Sequence, residues 1–593
     1  MKSNIEIKTI IRDFDTGKTA NAFFQIANLI KNNPENLDYL FLYAKMCNKV
    51  NKLDESEKAS LFLISKNSNS VEYLHNLYSV YLKKNNITKS EIFIKKLLKI
   101  DNNHYEAQRD LAYIHYIREN INNAKIILEK IVNDKTNDPF SLNILGLVFL
   151  KNESIEKAKK LFDRAISVNP EYIDSYNNLG KTYFDLEDLY KAFLYFKKAY
   201  KINPRYSKTL INIGNYLSLK DKNLYAIKAY EKAILYEPQN TEIFSNISIA
   251  YARNKDFDNA KKYYNKAIIS KVVNPSLDLS LFYLYAYKNQ FNKAWDLFES
   301  RKGTSKFLTS KNKSIVGKTL NANKQTILDK KVLVIREQGI GEEILFSSMY
   351  KEFINLNNNI KIETDKRLMS IFERSFESNT FVPDGYYSKN KEKLKLLDSI
   401  IFAGSLCGYF RKNKNDFLQK SYLIDNYEKT KKIKNNTIFA NNNLKIGLSW
   451  KSVVSVYGKL KSLSLSNFIP LIKNNRQFIN LQYGIVDEEI KKKENQNFNL
   501  YTFDKIDLFN DLEGLMSLLK NLDAFVTVSN STAHLAAAMG VKTLLICPKK
   551  SSTYFYWSNE NNKTPWYKNV QIFQIDNSIE KTLENINKAL NKL

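Results

Sequence analysis

The chain has 593 residues, 44% of them hydrophobic and 13% aromatic, and it carries a formal net charge of +29. This length exceeds what one hydrophobic core can organise, and the apolar content excludes disorder as the main state. The three cysteines, Cys47, Cys407 and Cys547, form no CxxC pair, which argues against a disulfide framework or a zinc site and is typical of a reducing compartment.

The N-terminal stretch MKSNIEIKTIIRDFDTG has no apolar core of signal-peptide length, and no run approaches the roughly 20 apolar residues of a membrane helix. We therefore expect a soluble, cytoplasmic protein without a membrane span. The positive charge admits a nucleic-acid partner or an anionic membrane surface. Lysines are nevertheless spread through the loops, and no Arg-aromatic interleaving accompanies them, so nucleic acid is the weakest alternative.

Residues of the first half recur with a period of 34. The columns are Pro170, Pro204 and Pro238; Gly146, Gly180 and Gly214; Ala158, Ala192, Ala226, Ala260 and Ala294; and Phe162, Phe196, Tyr230, Tyr264 and Phe298. Small residues let two helices approach closely, the aromatic ring fills the adjacent gap, and the proline ends each unit. The pattern resembles tetratricopeptide repeats (TPR). It implies about eight units over 1–301, an all-α superhelix, and a groove that binds a protein or peptide.

A polar segment at 302–329 is predicted as a linker, and the periodicity then changes. From 330 the order of strand, glycine turn and helix is typical of a doubly wound α/β domain. Two such halves are predicted, at 330–425 and 444–593. The predicted helices include LSNFIPLIKNN and DLEGLMSLLKNL. Two α/β halves leave a cleft lined by strand ends and helix starts, where ligands of open sheets bind.

Several motifs of the second half occur in a familiar order: EQGIGEEILFSSM, IGLSWKS, NLQYG, IDLFNDLEG, DAFVTVSNSTAHLAAAMG and PWYKNVQIF. This region resembles the C-terminal heptosyltransferase-like (family 9) glycosyltransferase domain of bacterial TPR proteins. The resemblance covers about 330–593, and FNKAWDLFESR is similar to the last repeat before that domain. It implies a GT-B architecture and sugar transfer from a nucleotide-sugar donor, with no cofactor and no essential metal.

The stretch SNST follows a predicted strand and starts a predicted helix. Helix N-termini favour phosphate, so the hydroxyl and amide groups of these four residues are predicted to bind the donor diphosphate. His534 would add a hydrogen bond to the leaving group. The predicted donor residues here are Ser529, Asn530, Ser531, Thr532 and His534. The alternatives are an ordinary N-cap and a packed histidine. Heptosyltransferases carry Asp-Thr-Gly at 529–531, so the donor's identity is open.

The turn GIGEE supplies the predicted catalytic residues. The family carries Gly-x-Gly-Asp here, and Glu342 stands at the position of the Asp that is thought to act as base; Glu343 is the second candidate. A carboxylate at a strand-end turn is a reasonable general base. The alternative is that both carboxylates only favour the helix N-terminus. Gly339 and Gly341 would let the acceptor or donor approach the backbone.

Three further residues are predicted to bind the donor. Lys459 and Lys461 could hold its phosphates, although solvated lysines are an equal alternative, and Gln482 could contact the base or ribose. Asp507, Asn510 and Asp511 either lie near the donor, as the resemblance implies, or cap the next helix. The Asp-x-Asp matches at 13–15 and 256–258 lie in the repeats, so no metal site is predicted.

The leading hypothesis is a glycosyltransferase whose repeats present a protein or glycan acceptor. If Glu342 is the base, an inverting direct displacement follows. The rival hypothesis is a non-catalytic TPR scaffold with a degenerate transferase domain, which the Asp-to-Glu change and the absent Asp-Thr-Gly favour.

Overall fold

The first half of the chain is helical throughout its described residues. The computed structural model describes residues 2–133, 138–271, 274–304, 307, 315–337, 339–387, 389, 391–452, 462–472, 475–484, 486–494, 500–547, 555–557, 563–575 and 578–593. Within them, eighteen α-helices lie before residue 299: α1 Lys2–Asp15, α2 Thr19–Asn32, α3 Leu37–Lys49, α4 Leu53–Lys66, α5 Val71–Lys83, α6 Ile87–Ile100, α7 Tyr105–Ile117, α8 Ile121–Asn133, α9 Pro139–Lys151, α10 Ile155–Val168, α11 Ile173–Asp185, α12 Leu189–Ile202, α13 Ser207–Leu219, α14 Asn223–Tyr236, α15 Glu242–Arg253, α16 Phe257–Ile269, α17 Pro275–Tyr287 and α18 Phe291–Phe298.

The helices pair into hairpins whose turns share one backbone conformation. Eight turns place a non-glycine residue at positive φ, at Asn51, Asn85, Glu119, Glu153, Glu187, Asp221, Lys255 and Asn289. These positions recur every 34 residues, and Gly17 (φ 85°) continues the series backwards. The described residues therefore form nine hairpins, not about eight. The first hairpin, α1–α2, has Ile10 in place of the glycine column but keeps the proline column, at Pro34, and the turn.

The glycine and aromatic columns pack as the sequence predicts. A Cβ at Gly146 would lie 2.5 Å from the Phe162 ring, and one at Gly180 would lie 2.6 Å from the Phe196 ring. Gly214 stands in the same relation to Tyr230. Only hydrogen fits between the backbone of the first helix and the ring of the second, which explains the column.

The chain divides into two compact units, Met1–Asn212 and Ile213–Leu593. The boundary falls inside α13, so the second unit contains α14 to α18 as well as the α/β region. The sequence predicted a division at 301 with a linker to 329. The described part of that linker packs instead: Leu320 forms a parallel bridge with Ile401, and Ile327 is fully buried.

Two parallel sheets follow. The first contains β1 Val332–Ile335, β2 Ile360–Thr364, β3 Phe381–Pro383 and β4 Ser399–Phe402, in the order β3-β2-β1-β4. The second contains β5 Leu444–Ser449, β6 Arg476–Asn480, β7 Leu500–Tyr501, β8 Ala524–Val528, β9 Thr543–Cys547 and β10 Val570–Gln574, in the order β10-β9-β8-β5-β6-β7. The second order is that of doubly wound nucleotide-binding sheets, and its direction switches between β5 and β8.

The helices of the α/β region are α19 Lys324–Ile327, α20 Ile340–Ser347, α21 Tyr350–Leu356, α22 Met369–Phe376, α23 Lys391–Lys395, α24 Cys407–Phe410, α25 Tyr427–Lys434, α26 Asp487–Glu494, α27 Leu512–Lys520, α28 Ser531–Ala538 and α29 Ile579–Leu590. One predicted helix differs. LSNFIPLIKNN forms a 3₁₀ helix over Leu465–Leu471 with Pro470 inside it, because proline lacks the N–H that a regular α-helix needs.

One hydrophobic cluster joins the parts of the second unit. It runs from Phe282 and Phe298 of the last hairpin through Phe346 to Leu515 and Phe525 of the second half. A second cluster fills the other face of the six-stranded sheet. In the described part of the chain, no helix is both long and apolar enough to cross a bilayer.

Candidate functional site

The candidate site lies at the switch point of the six-stranded sheet, where β5 and β8 end side by side. Asn530 follows β8 and caps α28: its side-chain oxygen accepts from the Ala533 N–H at 3.0 Å. Its amide nitrogen donates to Ser449 Oγ, at the end of β5, at 2.8 Å. Asn530 therefore has the capping role that the sequence left as the alternative, and it ties the two strand ends together.

His534 lies one turn into α28 in an aromatic enclosure. Its ring is 3% exposed and packs against Trp557 at 4.2 Å between ring centroids and against Tyr556 at 4.8 Å. Its Nδ1 lies 3.0 Å from the Tyr567 hydroxyl. Burial raises the pKa of Tyr567 well above its usual value, so this hydroxyl stays protonated. The enclosure fixes the orientation of the imidazole ring.

The turn after β1 forms the opposite wall. A Cβ at Gly341 would lie 2.9 Å from His534 Cδ2, so this glycine permits close approach of α20 and α28. Glu342 is half-buried at the cavity, and its carboxylate accepts from the Tyr556 hydroxyl at 3.3 Å. The structure thus brings together two of the predicted motifs, GIGEE and SNSTAH, from opposite halves of the α/β region.

The Glu343 side chain points away from the cavity, into the interior of the half that contains the four-stranded sheet. Its side chain is fully buried, pairs with Arg336, and accepts from Thr364 Oγ1 and from the Asp365 N–H at 2.9 Å. Burial raises the pKa of Glu343, and these contacts oppose the shift. Glu343 does not line the cavity, so its position is that of a structural carboxylate.

The Gln482 side chain is also buried and hydrogen-bonded within the protein. It is 2% exposed, and its side-chain oxygen accepts from Ser449 Oγ at 3.0 Å and from the Trp450 and Lys451 N–H groups at 2.8 and 2.7 Å. It shapes the chain after β5 and does not line the cavity. The predicted phosphate-binding residues Lys459 and Lys461 lie outside the described residues.

The cavity has a volume of about 340 Å³. Its lining includes the predicted residues Gly339, Gly341, Glu342, Ser529, Asn530, Ser531, Thr532 and His534. Ser529 accepts from Trp557 Nε1 at 2.9 Å, Thr532 is 1% exposed, and Ser531 Oγ lies 3.4 Å from the Tyr483 hydroxyl. Eight of the twelve predicted site residues therefore meet at one cavity.

Sequence reasoning missed the remaining polar and aromatic walls. Arg367 lines the cavity, pairs with Asp365 at 2.9 Å and donates to the Phe509 carbonyl at 3.0 Å. Tyr483, Phe509 and Tyr556 also line it. Tyr483 and Phe509 lie within quoted motifs, but nothing in a single sequence showed which side chains face the cleft.

The acidic side chains of the motif around 507–511 bind nearby backbone N–H groups. Asp507 accepts from the Phe509 and Asn510 N–H groups at 2.9 and 3.0 Å, and Asp511 caps α27 by accepting from the Gly514 N–H at 2.8 Å. Among the described residues, no group of three or more His, Cys, Asp or Glu side chains is arranged to hold a metal ion.

The match to a known protein family lies in the repeats. The tetratricopeptide repeat family matches residues 141–172, 173–206 and 241–268. This match and the nine hairpins show that the first half of the chain contains tetratricopeptide repeats. Protein FlbA of Caulobacter vibrioides is 24% identical over 276 residues, which cover 42% of this chain and 44% of FlbA. The chain therefore matches less than half the length of this curated relative.

Two solved structures are similar to part of the chain. A tetratricopeptide repeat protein from Parabacteroides merdae is 17% identical and covers 42% of this chain and 98% of its own, with a TM-score of 0.37. A pilF structure from Pseudomonas aeruginosa is 18% identical, with 35% and 94% coverage and a TM-score of 0.30.

Proposed function

We propose that the chain is a GT-B-type glycosyltransferase that moves a sugar from a nucleotide-sugar donor to a protein or glycan acceptor. The observation that carries the proposal is the meeting of GIGEE and SNSTAH across one cavity at the switch point of a doubly wound sheet. Ligands of such sheets bind at this place. The resemblance to heptosyltransferase-like domains supports the reaction class.

The start of α28 supplies the proposed diphosphate site. Ser531 and Thr532, the first two residues of this helix, line the cavity, and the helix dipole favours negative charge there. His534 stabilises the leaving nucleoside diphosphate as its charge grows. The reaction as proposed needs no metal ion, and a cytoplasmic location stays a prediction from the sequence.

Glu342 is the proposed general base. It takes the proton of the acceptor hydroxyl while that oxygen bonds to the anomeric carbon and the bond from this carbon to the diphosphate oxygen breaks. The contact with Tyr556 holds the carboxylate at the cavity. Glu342→Gln should abolish release of nucleoside diphosphate during transfer and leave donor binding intact. Full activity in this variant would eliminate Glu342 as base.

The proposed role of the repeats is to bind a protein or peptide partner, which TPR arrays commonly do. A scaffold without catalysis is the second candidate function. The buried hydrogen bonds of Glu343 and Gln482 favour it, since they leave Glu343 unable to act as the base and Gln482 unable to bind a donor.

The first experiment is a thermal-shift panel with UDP, GDP, ADP, CMP and representative sugar conjugates. A nucleotide at 100 times its Kd stabilises the folded protein by about 2.7 kcal/mol. His534→Ala should lose this shift. His115→Ala, a half-buried histidine of the repeats, should keep it. A shift that survives in both variants would remove His534 from the site, and no shift with any nucleotide would favour the scaffold.

A further inference from the structure

The last repeat hairpin makes direct contact with the segment 555–557, which forms one wall of the cavity. Phe555 packs edge-on against Phe282 of α17 at 4.9 Å between centroids, and against Phe298 and Trp295 of α18 at 5.8 and 6.1 Å. Phe555 is 8% exposed. Its ring is therefore held by helices that belong to the repeat array.

The two residues that follow Phe555 belong to the candidate site. Tyr556 lines the cavity and donates to Glu342, and Trp557 packs against the His534 ring and donates to Ser529 Oγ. Three consecutive residues thus connect the last hairpin, the proposed base and the proposed phosphate site. A shift of Phe555 must move both neighbours, because their backbone is continuous.

The same hairpin also holds the opposite wall. Arg301, just after α18, donates to both carboxylate oxygens of Glu337, with Nε at 2.7 Å and Nη2 at 2.9 Å, and to Ser405 Oγ at 3.1 Å. Arg301 and Glu337 are each 2% exposed. Glu337 follows β1 and precedes the glycine turn, and it also accepts from the Gly404 N–H after β4.

Bidentate arginine–carboxylate pairs are geometrically specific, and buried ones are costly to break. The exit of β1, and with it the turn that carries Glu342, is therefore fixed by the end of the repeat array. Trp295 adds a third attachment, since its Nε1 donates to the Arg411 carbonyl at 2.7 Å.

We infer that the last TPR hairpin is a positioning element of the cleft, which holds one wall through Phe555 and the other through Arg301. In this arrangement the hairpin sets the distance between Glu342 and His534. It is part of the site's construction and not only part of a partner-binding array. The geometric inference is independent of the reaction, and only its nucleotide readout rests on the proposed function.

The test uses histidine NMR on the full-length protein. The chain has four histidines, of which His534 alone belongs to the cleft, so selective 15N-histidine labelling and a His534→Ala reference identify its signals. Phe555→Ala should displace the His534 imidazole resonances, because Trp557 loses its support. Phe468→Ala, which removes a fully buried ring from the other hydrophobic cluster, should lower the stability without moving them.

A second variant covers the case in which Phe555→Ala does not fold. Phe282→Leu keeps an apolar side chain on the hairpin and should displace the same resonances to a smaller extent. Unchanged His534 signals in the folded variants, or equal displacement in Phe468→Ala, would overturn the inference.

Nucleotide affinity provides the second readout. If the panel identifies a nucleotide, Phe555→Ala should weaken its binding about tenfold or more, since small displacements of positioned groups carry large penalties. Affinity equal to that of the wild type would contradict the inference. If no nucleotide binds the wild type, the proposed function fails while the NMR result still decides the role of the hairpin.

Discussion

The repeats and the cleft both use a glycine packed against a ring, but over very different distances in the chain. In the repeats, Gly180 faces Phe196 within one hairpin. In the cleft, Gly341 belongs to the half with the four-stranded sheet, and it faces His534 of the half with the six-stranded sheet. The first contact recurs with the repeat period, whereas the second occurs where two separately wound sheets meet. Local repetition builds the array, whereas contacts between distant parts of the chain build the site.

The repeats and the α/β region also differ in how their elements pack against the rest of the chain. Each repeat packs mainly on its neighbours, as expected for a quasi-one-dimensional array. The last hairpin departs from this rule, because Phe282, Trp295 and Phe298 lie in the core cluster of the α/β region. The end of the repeat pattern in the sequence is therefore not the end of a structural unit.

Removal of the last hairpin is expected to have the largest effect. A chain starting at 302 would expose the surface that four buried aromatic residues of α17 and α18 cover, Phe282, Phe291, Trp295 and Phe298. Loss of one such side chain costs about 3–5 kcal/mol, so the loss of four is comparable to or larger than the usual stability of a domain, about 5–15 kcal/mol. We expect aggregation or loss of cooperative unfolding, measured by calorimetry.

The control for this truncation is a chain starting at 207, which keeps α13 and the whole second unit. It should unfold cooperatively. A stable, cooperatively folded fragment starting at 302 would show that the hairpin is only a repeat.

The neighbouring glutamates should separate stability from function. Glu343→Gln breaks the buried pair with Arg336 and should cost about 3–5 kcal/mol in urea unfolding. Glu342→Gln changes a half-buried side chain at the cavity and should stay within about 0.5 kcal/mol of the wild type. Equal losses in the two variants would refute the assignment of one residue to the core and the other to the cleft.

The two glycine contacts allow the finest comparison. Gly180→Ala forces the Phe196 ring away and should cost about 1–3 kcal/mol of stability. Gly341→Ala should instead displace His534 and lower nucleotide affinity more than stability, because the cleft is a junction of two halves. Gly317→Ala is the control, since its added Cβ meets nothing within 4 Å. Comparable loss of stability in all three variants would contradict the different roles assigned to Gly180 in the repeats and Gly341 in the cleft.

Some site residues could be predicted and others could not, for physical reasons. Asn530 and Asp511 precede apolar helical runs, so their capping roles follow from local sequence. Glu342 and Glu343 are adjacent and chemically identical, and only the direction of each side chain on α20 separates cavity from core. Gln482 lies just after β6 at the predicted edge, yet its oxygen accepts hydrogen bonds from three donors at and just after the end of β5.

The sequence by itself determined the repeat period, the glycine–aromatic packing and the presence of two α/β halves, because those features arise from neighbours in the chain and from hydrophobic periodicity. The tertiary structure alone decided that Arg301 secures the turn before Glu342, that Phe555 supports the His534 enclosure, and that Arg367 and Tyr556 face the cavity. These contacts join residues far apart in the chain, and no local pattern encodes which distant surfaces meet.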